Sequence, residues 1–153
     1  MAANTIALEG SMPVVRNKTG TGTIYPGMLL ELTAAAATIG VHTNAGDVMG
    51  VIVALEDSLQ GEDVDHAYTT GEYIRYGHFK SGDVLQMRLA NGETATLHCY
   101  LESNGDGYLR VRDADPSAGT IDPGSIKLMA LEAVDMSGST GEDPADWIQV
   151  LVL

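Results

Sequence analysis

The chain is short of cysteine, aromatic residues and long apolar runs, and each shortage excludes a class of protein. Cys99 is the single cysteine, so an intramolecular disulfide framework and a Cys-x-x-Cys zinc site are excluded. One Trp, six Tyr and one Phe leave the core to be packed mainly from aliphatic side chains. No stretch approaches the roughly 20 apolar residues of a membrane span. The start, MAANTIALEG, lacks the features of a signal peptide, so synthesis in a reducing cytoplasm is expected.

Basic residues are also few. Eight Lys and Arg stand against 21 Asp and Glu, which gives a formal charge of -13 at pH 7. Nucleic-acid binding depends on cations that displace the counterions condensed on phosphates, so no nucleic-acid partner is expected. An anionic membrane surface is disfavoured for the same reason. A strongly acidic surface instead suits a soluble protein that lies close to other proteins without sticking to them indiscriminately.

Helical periodicity is missing, and strand signals take its place. Apolar runs closed by Gly, Asn or Asp predict strands at 12–16, 27–33, 39–43, 48–56, 72–79, 84–90, 95–102, 108–113, 126–135 and 147–153. Asn91-Gly92, between two alternating runs, is typical of a tight hairpin turn. The predicted fold is all-β: a compact antiparallel β-sandwich or barrel of about ten short strands with no substantial helix.

The chain is predicted to divide into a short arm and one domain. Residues 1–11 carry no strong structural signal and are assigned to a flexible N-terminal arm that orders on binding. Residues 12–153 are predicted to form a single β domain, whose size one core can support. Within it, 147–153 is apolar almost throughout and is predicted to be a central strand covered on both faces. The Gly- and Thr-rich stretch 17–23 is predicted to be a flexible connection.

Side chains with catalytic potential are present, but they do not match an active-site pattern. The four histidines lie on different predicted elements and include no His-x-His pair of the kind that metal-binding barrels use. Lys18 precedes both glycines of NKTGTGT, so this stretch is not a phosphate-binding loop. A carboxylate pair that cleaves sugars needs a cleft lined with rings, for which the aromatic residues are too few. The sequence therefore predicts no catalytic residue, no cofactor and no enzymatic activity.

The acidic residues occur in clusters, and one sequence pattern that contains them occurs twice. Ala-Leu-Glu, a polar spacer and Gly-Glu-Asp appear at 54–63 and again, with a longer spacer, at 130–143. Unequal spacers argue against a shared active site, and the spacing of an EF-hand loop is absent. Both segments are predicted to be solvated acidic loops at one end of a barrel. The prediction is no bound metal, with a cation held by Glu56, Asp63, Glu132 and Asp143 as the alternative.

Tyrosines are candidates for contact with a partner, because such rings often carry the binding energy of an interface. The predicted interface residues are Tyr25, Tyr73 and Tyr76. In the predicted strand 72–79, Tyr73 and Tyr76 point to opposite faces. Neither face of that strand is purely polar, which indicates either burial on both sides or contact with another subunit.

Four sequence blocks resemble the small decoration, or cement, proteins of tailed-bacteriophage heads. They are VVRNKTGTGTIYPGMLLELTAA, VIVALEDSLQGEDVDHAYTTGEYIRY, LESNGDGYLRV and LMALEAVDMSGSTGEDPADWIQVLVL. The shared features are a Pro-Gly-x-x-x-Glu-Leu segment, an Ala-Leu-Glu strand end, a Gly-Asp-Gly turn and a valine-rich final strand. The resemblance covers nearly the whole chain and implies a compact all-β domain.

The resemblance also implies a non-enzymatic role on the virion. Decoration proteins form homotrimers on the outer capsid surface, at three-fold or quasi-three-fold positions, where they cross-link major capsid protein subunits and stabilise the head. The implied partners are further copies of the chain and the major capsid protein, and the implied location is the outer capsid surface after synthesis in the host cytoplasm. The net charge agrees, since an inner protein that faces DNA should be basic. The alternative function is a fibre-type module that binds a host glycan.

An N-terminal segment of such proteins often adds a strand to an edge of the capsid protein. Carried over to residues 4–16 of this chain, that behaviour gives a set of capsid-contact candidates. They are Ile6, Leu8, Met12, Val14 and Arg16.

Overall fold

The computed structural model of the chain describes residues 5–10, 14–33, 37–46, 50–112, 127–139 and 147–153. Thirteen strands and no helix lie in these ranges, so the predicted all-β class is confirmed and no described helix can span a membrane. The strands are β1 (Ala7–Glu9), β2 (Val14–Gly20), β3 (Leu30–Leu32), β4 (Thr38–Val41), β5 (Val51–Ala54), β6 (Tyr73–Phe79), β7 (Val84–Arg88), β8 (Thr94–Ala95), β9 (Tyr100–Ser103), β10 (Leu109–Val111), β11 (Leu128–Ala130), β12 (Val134–Asp135) and β13 (Trp147–Val152).

Two predicted runs contain turns, which contributes to the higher strand count. The run 95–102 is interrupted between β8 and β9, where His98 has a φ of 65° and the N–H of Cys99 donates to the carbonyl of Thr96. The run 126–135 is divided in the same way between β11 and β12. Alternation of apolar residues does not reveal a turn whose own residues continue the pattern.

Six strands form an antiparallel sheet in the order β1-β7-β13-β11-β9-β10, and β12 pairs with β8 in a separate two-stranded sheet. β13 lies between β7 and β11, so the predicted central position of 147–153 is confirmed. The predicted cover on both faces is wrong. Ile148 and Val150 are buried whereas Gln149 between them is exposed, because only one face of the strand meets the core.

The other large sheet has five strands in the order β3-β4-β2-β6-β5 and closes into a small barrel. Leu29, beside β3, forms an antiparallel bridge to Val53 in β5. The N–H of Ala54 also donates to the carbonyl of Met28, at 3.0 Å. These contacts join the two outermost strands of the sheet, which removes its free edges there.

Strand β2 departs from two predictions. Residues of the stretch 17–23, predicted to be a flexible connection, belong to β2, where Lys18 pairs with Ile74 in β6. β2 also pairs with β4 in parallel, with Thr19 opposite Thr38. The predicted antiparallel arrangement therefore holds for the described strand pairs except this one. A Gly- and Thr-rich segment forms a strand here because pairing with β6 supplies the stability that its own residues lack.

Two cores lie on the two sides of the barrel wall. The first core fills the space between the barrel and the six-stranded sheet, and the second fills the barrel. Strand β5 shows the division, because Val51 and Val53 belong to the first core whereas Ile52 and Ala54 face the second. Both faces of the barrel wall are buried along part of its length. For the predicted strand 72–79, the sequence left open either burial on both sides or contact with another subunit. The structure shows burial on both sides for much of β6.

The start of the described chain is attached to the six-stranded sheet. β1 pairs with β7, and Ile6 is fully buried in the first core. The carbonyl of Ile6 accepts a hydrogen bond from the N–H of Gln86, at 2.8 Å. Residues 1–4 and 11–13 lie outside the described ranges, so the division into an arm of 1–11 and a domain of 12–153 stays a prediction.

Candidate functional site

A buried arginine joins the barrel to the six-stranded sheet. Arg88, the last residue of β7, is 1% exposed. Its Nε donates to the carbonyl oxygen of Pro26 at 2.8 Å, and its Nη2 donates to that of Val64 at 2.9 Å. Burial of a charge is costly unless hydrogen bonds compensate it. The two carbonyl groups supply that compensation and fix two loops against the end of β7.

Aromatic rings complete the surroundings of this guanidinium. Its Cζ lies 4.1 Å from the ring centroid of Trp147 and 5.3 Å from that of Tyr25, both within the range of a cation–π contact. Asp65 Oδ1 lies 3.8 Å from Nη2. Burial lowers the pKa of Arg88, and the nearby Tyr108 and Asp65 oppose that effect. Tyr25, a predicted interface residue, is half-buried and is engaged by this arginine within its own chain.

The described carboxylates mostly accept hydrogen bonds from the main chain. Glu56 accepts from the N–H of Ile6 at 3.2 Å and from the hydroxyl of Thr5 at 2.7 Å. Glu132 accepts from the N–H of Gln149 at 2.8 Å. In each case a carboxylate that follows one strand binds a segment about 17 to 50 residues away in sequence. The glutamate of each of these two Ala-Leu-Glu repeats therefore connects two chain segments that are distant in sequence, through a hydrogen bond to the main chain.

The alternative cation site is not assembled by the residues that the structure describes. Glu56 follows β5 of the barrel, and Glu132 follows β11 of the other sheet. Asp63 accepts the N–H of Asp65 at 3.0 Å in its own loop. No group of three or more His, Cys, Asp or Glu side chains in the described ranges could hold a metal ion. Asp143 lies outside those ranges, so the complete set stays a prediction.

Hydrogen bonds lower the pKa of two carboxylates. The N–H and hydroxyl of Thr69 hold the pKa of Glu72 below its ordinary value of 4.5. The hydroxyl and N–H of Ser137, with the hydroxyl of Thr94, hold the pKa of Asp135 below its ordinary value of 3.8. In the unfolded chain both groups take up protons at higher pH than in the fold. Their contribution to stability is present above the ordinary values and is lost as the pH falls through the folded ones.

This linkage predicts an acid dependence that two isosteric changes reduce. In wild type, the urea midpoint of unfolding should fall as the pH is lowered below about 4.5. The double variant Glu72→Gln, Asp135→Asn keeps oxygen acceptors for the same donors but cannot take up these protons, so its midpoint should fall less over the same range. Equal pH dependence in both proteins would contradict the assignment.

An open cavity of about 490 Å³ lies beside the barrel strand β6. Tyr68 donates its hydroxyl to the carbonyl of Leu55 at 2.8 Å, and burial, with Asp57 nearby, raises the pKa of Tyr68 to about 12. Tyr73 is 72% exposed. The phenol of Tyr68 stays neutral at ordinary pH, so the cavity offers an acidic rim, rings and the imidazole of His66, with no lysine or arginine among its lining residues. The lining residues are Asp57, Gln60, Glu62, His66, Tyr68, Glu72 and Tyr73.

The first part of β2 is an exposed strand edge. Val14 is 58% exposed and Val15 is 40% exposed, and the next two residues are exposed as well. β6 pairs with this part on one side, whereas β4 reaches β2 only at Thr19 and Gly20. Along 14–18, no described strand occupies the second side. We call residues 14–17 the β2 edge.

Hydrogen bonds at the C-terminal end of β2 show which of its main-chain groups point towards β6 and which point away from it. Gly20 donates to and accepts from the β6 side, through Glu72 and Gly71, whereas the N–H of Thr21 points to Ile39 on the β4 side. Direction alternates from residue to residue in an antiparallel strand pair. Odd-numbered residues of the β2 edge therefore direct their N–H and C=O groups away from β6. A strand edge of this kind is a template for a further strand.

The predicted contact residues are distributed unevenly. Val14 and Arg16 lie in the β2 edge, and Val14 is paired with His78 of β6. Burial and then the charge of Arg16 lower the pKa of His78. Leu8 is half-buried in β1, and Met12 lies outside the described residues. Ile6 belongs to the first core, so it presents no surface. A capsid contact at these positions stays a prediction.

The predicted interface tyrosines also differ from one another. Tyr76 is 3% exposed and belongs to the second core, because its side of β6 faces the barrel interior. Tyr73 lies at the exposed start of β6. Of the three tyrosines, Tyr73 alone is fully available to a partner. The period of a strand predicts which residues share a face, but it does not predict which face another layer covers.

Arg88 is the described residue that sequence reasoning missed. Its signal is visible in retrospect, because the run VLQMRLA places one arginine inside an otherwise largely apolar strand. Charged residues are rarely buried without a partner. An isolated arginine in such a run therefore indicates a buried hydrogen-bonded cluster.

Comparison with solved structures shows what the fold resembles. No family model matches the chain, and no curated protein matches it. Among solved structures, the N base of the head fiber gp8.5 in bacteriophage phi29 is similar, with a TM-score of 0.57 and 12% sequence identity. The similarity covers 93% of this chain and 95% of that one. At this identity the likeness shows a common fold over nearly the full length of both chains.

Proposed function

We propose that the chain is a non-enzymatic structural protein of a tailed-phage head, which binds the outer capsid surface as a homotrimer and cross-links major capsid protein subunits. The observation that carries the proposal is the fold shared, over nearly its whole length, with the base of a phage head fiber. The sequence blocks that resemble decoration proteins support the same assignment independently. The formal charge of -13 suits a surface that faces away from DNA.

The β2 edge is the proposed contact with the capsid protein. Val15 and Asn17 turn their N–H and C=O groups outward, and an extended segment of the partner pairs with them. Arg16 in the β2 edge and Lys18 directly after it are two of the eight basic residues of the chain. In so acidic a chain, these cations favour a partner segment that carries carboxylates.

Three copies bound at one symmetric site strengthen such a contact. One strand edge provides few hydrogen bonds, and a single subunit would dissociate readily. Linked subunits rebind at a high effective concentration, so the trimer holds the surface without any further kind of contact. Separating neighbouring capsid subunits then requires that these contacts be broken as well, which stabilises the head.

The glycan-binding alternative rests on the cavity beside β6. Its exposed ring of Tyr73 and its carboxylates are groups that sugar sites use. Binding of the purified protein to a panel of cell-surface glycans, with loss on Tyr73→Ala, would favour this function. No glycan binding together with capsid binding favours the decoration role.

The decisive experiment mixes the purified protein with heads that lack it. We expect the protein to pellet with expanded heads and to raise their melting temperature. Val15→Pro removes an outward N–H that β6 does not use, so it should keep the fold and lose at least tenfold in head binding. Val15→Thr retains the N–H and should bind as wild type does.

The outcomes separate the two parts of the proposal. Wild-type protein that stays in the supernatant at every concentration overturns the capsid role. Wild type that pellets, together with Val15→Pro that pellets equally well, leaves the capsid role and overturns the contact at the β2 edge. Circular dichroism of each variant verifies that the strands are intact.

A further inference from the structure

An apolar row crosses the face of the six-stranded sheet that points away from the first core. Tyr100 in β9 pairs with Met129 in β11, which pairs with Leu151 in β13, which pairs with Val84 in β7. Residues paired across neighbouring strands project to the same face. Four side chains therefore stand in one line across four strands. We call this line the outer row.

The outer row is separate from both cores. The residues that alternate with it, such as Leu101, Leu128 and Val150, form the first core on the opposite face. Tyr100 is 47% exposed, and its three row partners are half-buried although neither core includes them. Side chains in a line on a sheet shield one another in this way. Single exposed apolar residues are ordinary, whereas a contiguous line of partly exposed apolar side chains is typical of a contact surface.

Charges occur at the two ends of the outer row. The N–H of Arg112 donates to the carbonyl of Tyr100 at 2.9 Å, so Arg112 continues the line at the β10 edge of the sheet. At the β1 edge, Glu9 is the register partner of Val84, after an irregularity of the pairing between Ala7 and Glu9, and its side chain is exposed. With strands about 4.8 Å apart, the line from one end to the other is about 24 Å long. From the β10 edge to the β1 edge, the line consists of one cation, four apolar or aromatic side chains and one anion.

A neighbouring side-chain pair extends the apolar surface. Leu153 is 39% exposed and donates its N–H to the carbonyl of Lys127 at 2.8 Å, so these two residues lie next to Leu151 and Met129. Of the eight basic residues of the chain, Arg112 and Lys127 are on this part of the surface. Among the described side chains of the outer row and its extension, these two cations stand against one carboxylate, that of Glu9.

We propose that the outer row is the contact between copies of this chain. Two molecules with a charge of -13 repel each other, so a contact between copies requires a surface where apolar area is not accompanied by like charges. The described residues of the outer row meet that condition, and its two ends carry opposite charges. Arranged about an axis, the β10 edge of one copy adjoins the β1 edge of the next, and Arg112 of each copy meets Glu9 of its neighbour.

The proposal rests on the self-association within the proposed function and specifies its surface. It assigns the contact to the six-stranded sheet, whereas the capsid contact was assigned to the β2 edge of the barrel. The two surfaces lie on different sheets, so one molecule can use both at the same time. They can also be disabled one at a time.

Mass measurement in solution tests the assignment. At about 100 µM, wild type and the control Met129→Leu should assemble, because both keep an apolar side chain in the line. Met129→Glu places three like charges in one ring of three copies and should require at least tenfold higher concentration to assemble. Wild type that remains a single chain at that concentration overturns the proposal, as does Met129→Glu with the mass of wild type.

A charge exchange provides a second test that does not depend on the apolar residues. Arg112→Glu alone should weaken assembly, because two carboxylates then meet at each join. Adding Glu9→Arg to the same chain restores opposite charges and should restore assembly. No recovery in the double variant, with the strand signal intact in circular dichroism, overturns the pairing of the two ends.

Head binding distinguishes this proposal from the function on which it rests. A Met129→Glu monomer that still pellets with heads, though more weakly, supports the contact between copies and the capsid role together. Wild type that is monomeric but loses head binding on Met129→Glu shows that the outer row faces the capsid protein instead, which overturns the proposal. Failure of wild type to bind heads affects only the proposed function.

Discussion

Replacing Arg88 with methionine should lower the free energy of unfolding by about 3 kcal/mol. Methionine fills a similar length of space but provides no donor, so the carbonyl groups of Pro26 and Val64 lose their hydrogen bonds in a buried region. The contact with the face of Trp147 is lost as well. Because those two carbonyl groups belong to loops that lie against β7, the change should loosen the junction between the barrel and the six-stranded sheet.

Arg110 supplies the matched control. It also lies on a strand and pairs with a carboxylate, at 2.7 Å from Glu102 Oε1, but its side chain is 37% exposed. Glu102 is 9% exposed, so Arg110→Met leaves a largely buried carboxylate without its partner. The Arg110 side chain is partly in water, however, so the loss of stability should be smaller than that of Arg88→Met. Urea unfolding followed by tryptophan fluorescence measures both variants, since Trp147 is the single tryptophan. Equal losses would mean that burial of Arg88 is not what makes it important.

A methyl group at position 27 should also cost about 3 kcal/mol. Gly27 has a φ of 86°, and a Cβ atom there would lie 2.4 Å from Cζ3 of Trp147. The ring cannot move freely, because the guanidinium of Arg88 packs on its face. Gly27→Ala therefore combines a strained backbone with an overpacked contact. Either the ring must shift or the main chain at position 27, which is hydrogen-bonded to Ala54 of β5 and to Arg88 of β7, must move.

Gly22 separates these two contributions. Its φ is 82°, close to that of Gly27, but no atom lies within 4 Å of a Cβ built there. Gly22→Ala should therefore show the backbone strain alone, at about 1 kcal/mol. The difference between the two variants in urea unfolding gives the cost of the contact with Trp147. Similar losses at both positions would show that the ring accommodates the methyl group.

Much of the fold follows from short-range patterns in the sequence. Apolar runs ended by Gly, Asn or Asp predict most of the observed strands, and the absence of helical periodicity predicts the fold class. In β13 the central position was predicted correctly but the cover on both faces was not, because the nearly continuous apolar run outweighed the alternation that places the exposed Gln149 between the buried Ile148 and Val150. What such patterns encode is the conformation of a segment and the grouping of its side chains into two faces.

Long-range pairing is what the sequence did not disclose. Closure of the barrel depends on Leu29 meeting Val53, and the parallel pair depends on Thr19 meeting Thr38. Neither pairing leaves a local mark, because the same residues would form a strand beside other partners. The Gly- and Thr-rich half of β2 illustrates the point, since its own composition indicates a loop and its neighbours make it a strand.

The same limit applies to the candidate contact surfaces. Tyr73 and Tyr76 are equally good interface residues by type, and only the closure of the barrel buries the second. The outer row is invisible in the sequence, because Tyr100, Met129 and Val84 belong to three separated strands that register brings together. Strand order determines which edges and faces remain open, and strand order is a property of the whole chain.

The order of the strands also has a consequence for synthesis on the ribosome. All five barrel strands lie within residues 14–79, whereas β7 must wait for β13, which begins 59 residues after Arg88 at Trp147. At translation rates of about 5–20 residues per second, that wait lasts about 3–12 s. During it, β7 has β1 as its one completed neighbour, because β13 on its other side has not yet been made. The yield of soluble protein should therefore depend on how quickly this stretch is translated and on whether a chaperone covers β7 in the meantime.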